Sequence, residues 1–378
     1  MGRRGGESII LIDLLRFACA MLVLAYHFGT AFGHGASPNL RGMAEIATLP
    51  PGWKQWTWFG WVGVELFFVI SGYVITGSAE GAAPGAFLWR RAKRLVPGAL
   101  ACATVTAILL MLAGAAIGPL IFEWWKSVLF VPVAPWIDPS YWTLGMEAAF
   151  YLLVAGHLCL RGGSGRIEWL GWALAAVCLA FWTALLFHDL PARSGLQRLP
   201  QLLLLTHGSC FALGIFARAA SRRGTSMARN AGIALALAGA AIEIAAKSIG
   251  ERHGLGVTGP VWVPGAIFAL GAALVFAAHR LQPWFVRLPA GWAPAAGLAT
   301  YPLYLLHQDG GGAAFVMLQR AGVAPVPAIL LVTLALVLAA FAVARWIEPP
   351  LRGAMDALVR FSRALGRDSL RSASLPTG

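Results

Sequence analysis

SIILIDLLRFACAMLVLAYHFGTAFG, Ser8 to Gly33, decides the fold class of this chain. It is long enough to cross a bilayer as one helix, which takes about 20 mostly apolar residues. Yet it carries Asp13, Arg16 and His27. Ionisable groups at membrane depth are costly, and they face a bundle interior or a wet cavity. Arg16 and His27 are separated by roughly three turns at 3.6 residues per turn, so they share one face, roughly 16 Å apart along the axis. Asp13 precedes Arg16 by three residues and is placed to neutralise it. The helix therefore presents a guanidinium near one end and an imidazole about half a membrane deeper, and the remaining chain reads as walls around that face.

The totals agree. Of 378 residues, 58% are hydrophobic and only 12% charged, with mean hydropathy +0.71. Soluble domains are roughly a quarter charged, so the expected class is an all-α polytopic membrane protein. The net charge of +13 reads as an orientation signal and not as nucleic-acid binding, for which no motif occurs. Cys19, Cys102, Cys159, Cys178 and Cys210 fall in apolar segments without a C-x-x-C; they read as small buried hydrophobes, and no metal site is expected. The N-terminal MGRRGG lacks the features of a cleaved signal, so the first helix reads as retained.

Ten spans are predicted, roughly 8–33, 58–79, 95–119, 141–160, 169–188, 200–219, 230–249, 261–279, 295–318 and 327–347. Arg and Lys crowd the connections on one side, including Arg90, Arg91, Lys93 and Arg94, which puts both termini in the cytoplasm by the positive-inside rule. The connection from His34 to Thr57, with Trp53, Trp56 and Trp58, reads as an interfacial loop or lid. The stretch from Phe122 to Ser140 is too short and Pro-broken to span. The tail beyond residue 353 starts amphipathic and ends polar, with disorder expected from Ser372 to Gly378.

Several polar residues stand out within the spans. His27 can act as general base for a hydroxyl, or can be a neutral core histidine; a metal role with His34 lacks a third ligand of matching spacing. Glu65 lies at the outer end of the second span and Ser71 in a small-residue patch. In FLWRRAKRLVPG, Pro97 suits a first helical turn. The cations then sit just before a helix start, where they either attract anionic lipid or clamp phosphate. Glu147 needs a partner. Glu243 and Lys247 read as an i,i+4 pair, and Arg345 with Glu348 as a tether for the last helix. Of the buried imidazoles His207 and His307, the latter, followed by Asp309 and three glycines, reads as a cavity residue.

This ordered set resembles the acyltransferase 3 family of integral membrane O-acyltransferases, over about residues 8–353. IDLLRFACAMLVLAYHF is similar to its first-helix Arg-x10-His signature, here Arg16 and His27. GVELFFVISGYVI is close to its second-helix motif and FLWRRAKRLVP to its Arg-rich third-helix motif. YWTLGMEAAFYLL resembles its Trp-Ser/Thr-Leu and Glu-x-x-Phe-Tyr pattern, while YPLYLLHQ and WIEPPLR resemble its closing motifs. Ala148 and Ala149 replace polar residues frequent in the family after the glutamate.

The resemblance implies one transmembrane domain over residues 1–353, a cytoplasmic tail over 354–378, and a multi-pass location in the bacterial cytoplasmic membrane. It implies transfer of an acyl group, most commonly acetyl, from cytoplasmic acyl-CoA to a hydroxyl of a carbohydrate or glycoconjugate. His27 would then be the base, with Arg16 and Glu147 beside it. Arg90, Arg91, Arg94, Ser71 and Tyr73 would hold the donor, and Trp142, His307 and Glu65 the acceptor. Membrane lipid is the other expected partner, with no metal and no nucleic acid. The competing reading is a proton-coupled transporter or flippase relaying protons through His27, Glu147 and His307.

Overall fold

The computed structural model describes residues 9–31, 40, 52–160, 166–187, 198–287 and 291–373. His34 and most of the connection expected to form a lid lie outside them, as do residues 374–378. The described chain is an all-α polytopic membrane protein. Its helices are α1 (Ile10–Tyr26), continued by a π turn over His27–Ala31, then α2 (Lys54–Thr57), α3 (Val62–Ala79), α4 (Pro84–Ala113) and α5 (Ile117–Val128). A 3₁₀ turn at Pro139–Tyr141 leads into α6 (Trp142–Leu160), followed by α7 (Glu168–Phe187), α8 (Arg198–Leu202), α9 (Gly208–Arg223) and α10 (Met227–Leu255). The last are α11 (Val263–Phe285), α12 (Ala293–Leu306), α13 (Asp309–Arg320), α14 (Pro325–Ala342) and α15 (Glu348–Ala373).

Eight helical segments among the described residues are long and apolar enough to cross a membrane. The sixth and ninth expected spans are helical but different in kind. The sixth is α9, only 16 residues long and buried from Gly208 to Ala217, because α3, α7, α10 and α11 surround it. The ninth is broken between α12 and α13. The stretch expected not to span begins inside α5, which at 12 residues is about 18 Å long by the usual rise, too short to cross. Four of the five cysteines are buried; Cys159 is exposed.

Small residues set the tight crossings that bring polar groups together. Gly72 of α3 and Gly214 of α9 face each other. A Cβ at Gly72 would run into the Phe211 carbonyl oxygen, and one at Gly214 into that of Val69. In lipid, such backbone approach is a main source of helix association. Gly214→Ala is therefore expected to destabilise by about 1–3 kcal/mol, the usual cost of overpacking, and to lower the thermal midpoint in detergent; an unchanged midpoint would contradict the close approach. Gly63 lets α1 in similarly, since a Cβ there would sit 2.6 Å from the Cys19 carbonyl oxygen.

The third helix begins earlier than expected. Pro84 takes its first position, and Pro97 lies in its interior. An internal proline leaves the carbonyl four residues back without its helical donor. That carbonyl belongs to Lys93, and Arg352 Nε donates to it at 3.2 Å. The four cations therefore sit inside α4 rather than before it, and helical periodicity splits them into two faces. Arg91 and Arg94 turn inward. Arg90 donates to the Ser78 carbonyl at 3.0 Å, and Lys93 pairs with Asp356 of α15 at 3.1 Å.

Candidate active site

The inward face of α4 borders a cavity of about 300 Å³, between α1, α3, α4, α6 and α12. Arg16, Arg91, Arg94, Glu147, Tyr151 and Ser71 all reach it, and Val64, Phe67, Phe68, Ile70 and Val74 make its apolar side. Arg94 lies 3.5 Å from the buried Glu348 and 5.4 Å above the Tyr301 ring. Both its terminal nitrogens, and Nε of Arg91, are nonetheless buried without a hydrogen-bond partner among the described residues. Buried guanidinium donors are rarely left this way. Glu147 accepts the Tyr151 hydroxyl, and its charge, with those of Asp13 and Arg94, acts on Arg16. Glu348 also pairs with Arg352 one turn on in the same helix, and α15 is tethered to α4 through the Glu348–Arg94 pair and the Arg352–Lys93 carbonyl bond, while Arg345 is exposed.

His27 stands one layer away. It opens the π turn, a feature frequent at functional sites. Its Nδ1 lies 3.1 Å from the Val23 carbonyl oxygen and 2.8 Å from Nε2 of His307. His307 in turn places Nδ1 2.6 Å from the Tyr304 carbonyl oxygen. The Tyr304 ring packs 5.4 Å from the His307 ring and 5.7 Å from Phe67, and both Tyr304 and Phe67 line the cavity. The Tyr304 ring thus has the cavity on one side and His307 on the other, with Phe67 packed against it.

The break that delivers His307 is held from a distance. Asp138, fully buried, accepts the Asp309 backbone N–H at 2.8 Å through one oxygen and that of Ser140 at 2.8 Å through the other. It caps α13 as a carboxylate at a helix N-terminus should. Burial pushes the pKa of Asp138 up to about 6, against the pull of these hydrogen bonds.

Glu65 belongs to a separate polar centre. Its Oε2 lies 3.0 Å from His207 Nδ1, which also contacts Glu243. These three residues place ligand-type atoms within 4.8 Å of one another. The neighbouring cation is supplied by the chain: Lys247 Nζ lies 2.5 Å from Glu65 and 3.3 Å from Glu243. The local Glu243–Lys247 pair is thus half of a four-residue cluster spanning α3, α9 and α10. Sequence reading missed it, although four ionisable residues in apolar segments each required a partner.

The remaining candidates are dispersed. Tyr73 is buried under Arg218, 5.6 Å from its ring, and Trp142 packs 5.9 Å from His207. Trp58 is buried while Trp56 is 79% exposed. Helix α2 is pinned to the α10–α11 connection, with the Gln55 side-chain oxygen accepting from Thr258 N at 3.0 Å and Lys54 donating to the Leu255 carbonyl at 3.1 Å.

No curated protein and no solved structure matches the chain. A family model does: the acyltransferase domain Acyl_transf_3 matches residues 9–345. That match covers most of the chain, including α1 with Arg16 and His27, the inner face of α4, and His307, and so the protein belongs to the acyltransferase 3 family of membrane acyltransferases.

Proposed function

We propose that the protein moves an acyl group, most simply acetyl, from cytoplasmic acyl-CoA to a hydroxyl of a carbohydrate or glycoconjugate, in the bacterial cytoplasmic membrane with both termini inside. The observation that carries this reading is the set of buried guanidinium donors on Arg91 and Arg94 that lack a hydrogen-bond partner among the described residues. Forked Arg donors suit phosphate oxygens, and CoA brings phosphates to a thioester. Arg90 and Tyr73, which lie off the cavity, would contribute outside it. At about 300 Å³, the cavity is at the low end of ligand-pocket volumes. It suits the diphosphate and thioester portion of the donor, with Val64, Phe67 and Phe68 against the acyl end.

In the reaction, Nε2 of His27 takes the proton of the acceptor hydroxyl. The oxygen attacks the thioester carbonyl, the carbon–sulfur bond breaks, and the departing thiolate recovers the proton from His27. Arg16 stabilises negative charge on the carbonyl oxygen, and Glu147 orients the arginines. For donor and base to meet, the Tyr304 ring between the cavity and His307 must move aside.

Thermal unfolding in detergent, titrated with acetyl-CoA, tests the donor. A saturable rise equivalent to roughly 2.7 kcal/mol is expected at 100 times Kd. Arg94→Ala is expected to weaken binding about 10- to 100-fold, as loss of a charge-assisted hydrogen bond costs roughly 1.5–3 kcal/mol. No shift at millimolar acetyl-CoA would overturn the donor assignment.

A further inference from the structure

We infer that His307 is the positioning residue that sets the tautomer of His27, so that the nitrogen facing the acceptor hydroxyl is the one carrying a lone pair. The inference rests on the reading of His27 as the base.

A neutral imidazole has one N–H and one acceptor nitrogen. A carbonyl oxygen only accepts, so the 2.6 Å contact from His307 Nδ1 to the Tyr304 oxygen puts the His307 proton on Nδ1. Nε2 of His307 is then an acceptor, and its 2.8 Å partner, Nδ1 of His27, must carry a proton. The Val23 carbonyl, 3.1 Å from that same Nδ1, shares that proton at longer range. Both acceptors leave the lone pair of His27 on Nε2. Two residues 280 positions apart therefore form a directed chain, Nε2(His27)–Nδ1–H to Nε2(His307)–Nδ1–H to Tyr304 oxygen.

The surroundings suit a fixed orienting group. His307 is 1% exposed, which leaves it no surface for the acceptor contact expected of it from sequence. It sits at the break between α12 and α13, where Asp138 holds the first N–H of α13. Gly311 nearby admits the Phe28 ring, to which a Cβ would come within 2.9 Å. His27, by contrast, is only half-buried and needs an external hold on its ring.

The test compares His307→Phe with His307→Gln in the full-length protein. The Gln side-chain oxygen can accept from Nδ1–H of His27; Phe cannot. His307→Phe is expected to lower kcat by about 10²–10⁴-fold, the range seen when a catalytic base loses its tautomer or orientation, with KM for acetyl-CoA unchanged. His307→Gln should recover to within about tenfold of the parent. In ¹⁵N-histidine-labelled protein, His27 Nε2 should give an unprotonated imidazole shift in the parent and in His307→Gln, and a tautomer mixture in His307→Phe. The signal is assigned by its absence in His27→Gln.

A protonated Nε2 in the parent at neutral pH would overturn the inference even if every variant is poorly folded. So would a correctly folded His307→Gln as inactive as His307→Phe, since His307 would then carry the proton itself. The nitrogen shifts need no acyl donor, so failure of the acyl-CoA reading and failure of this inference give different results.

Discussion

His27→Ala is expected to lower acyl transfer by about 10²–10⁴-fold, the usual contribution of a positioned general base, while donor binding persists. The separation follows from the layout. His27 does not line the cavity that holds Arg16, Arg91 and Arg94, and Tyr304, which does, packs against its partner His307. A variant lacking the imidazole keeps its phosphate-binding face, so acetyl-CoA should raise its thermal midpoint as it does in the parent. Truncation removes a half-buried ring from a π turn rather than a core side chain, and the fold should survive it. The readout is acylated product from purified protein in detergent beside the acetyl-CoA shift. Product formation at the parent rate would remove His27 from the reaction, and joint loss of product and shift would mean that the change had damaged the donor site.

Lys247→Met should cost about 3–5 kcal/mol of stability, the penalty for removing one partner of a buried ion pair. Glu65 and Glu243 are 1% and 0% exposed, and the Lys247 side chain, 28% exposed, is the cation in contact with both. Without it, two buried carboxylates and His207 are left together between α3, α9 and α10. The ammonium also lies 5.7 Å over the Trp61 ring, a smaller contribution that Met partly keeps through its apolar stem. Adding Glu65→Gln to Lys247→Met removes one of the stranded charges and should recover part of the loss, as expected for residues acting as one unit. Unfolding in detergent measures each. A single variant within 1 kcal/mol of the parent would show that the carboxylates are neutralised in another way.

Much of the architecture was legible because lipid restricts the options. Long apolar segments must be helices, and an Arg and a His eleven positions apart in the first of them must share a face. The start of the third helix was misplaced because Pro97 suits a first turn equally well in sequence. In the structure Pro97 lies inside the helix, and Arg352 donates to the Lys93 carbonyl that it leaves free. That register then separates Arg91 and Arg94, which face the cavity, from Arg90 and Lys93, which do not.

Composition and spacing were thus sufficient for the membrane class, the helical segments and the polar residues that must be buried, since each is a local consequence of solvent and helix period. Pairing was beyond them. His27 with His307, Glu65 with Lys247, and Asp138 with the first N–H of α13 join residues far apart in the chain. A buried charge demands a partner, but a linear pattern does not say which helix supplies it. That choice is made by tertiary packing, whose tightest approaches, α1 with α3 and α3 with α9, rest on glycines that admit a neighbouring backbone a side chain would exclude.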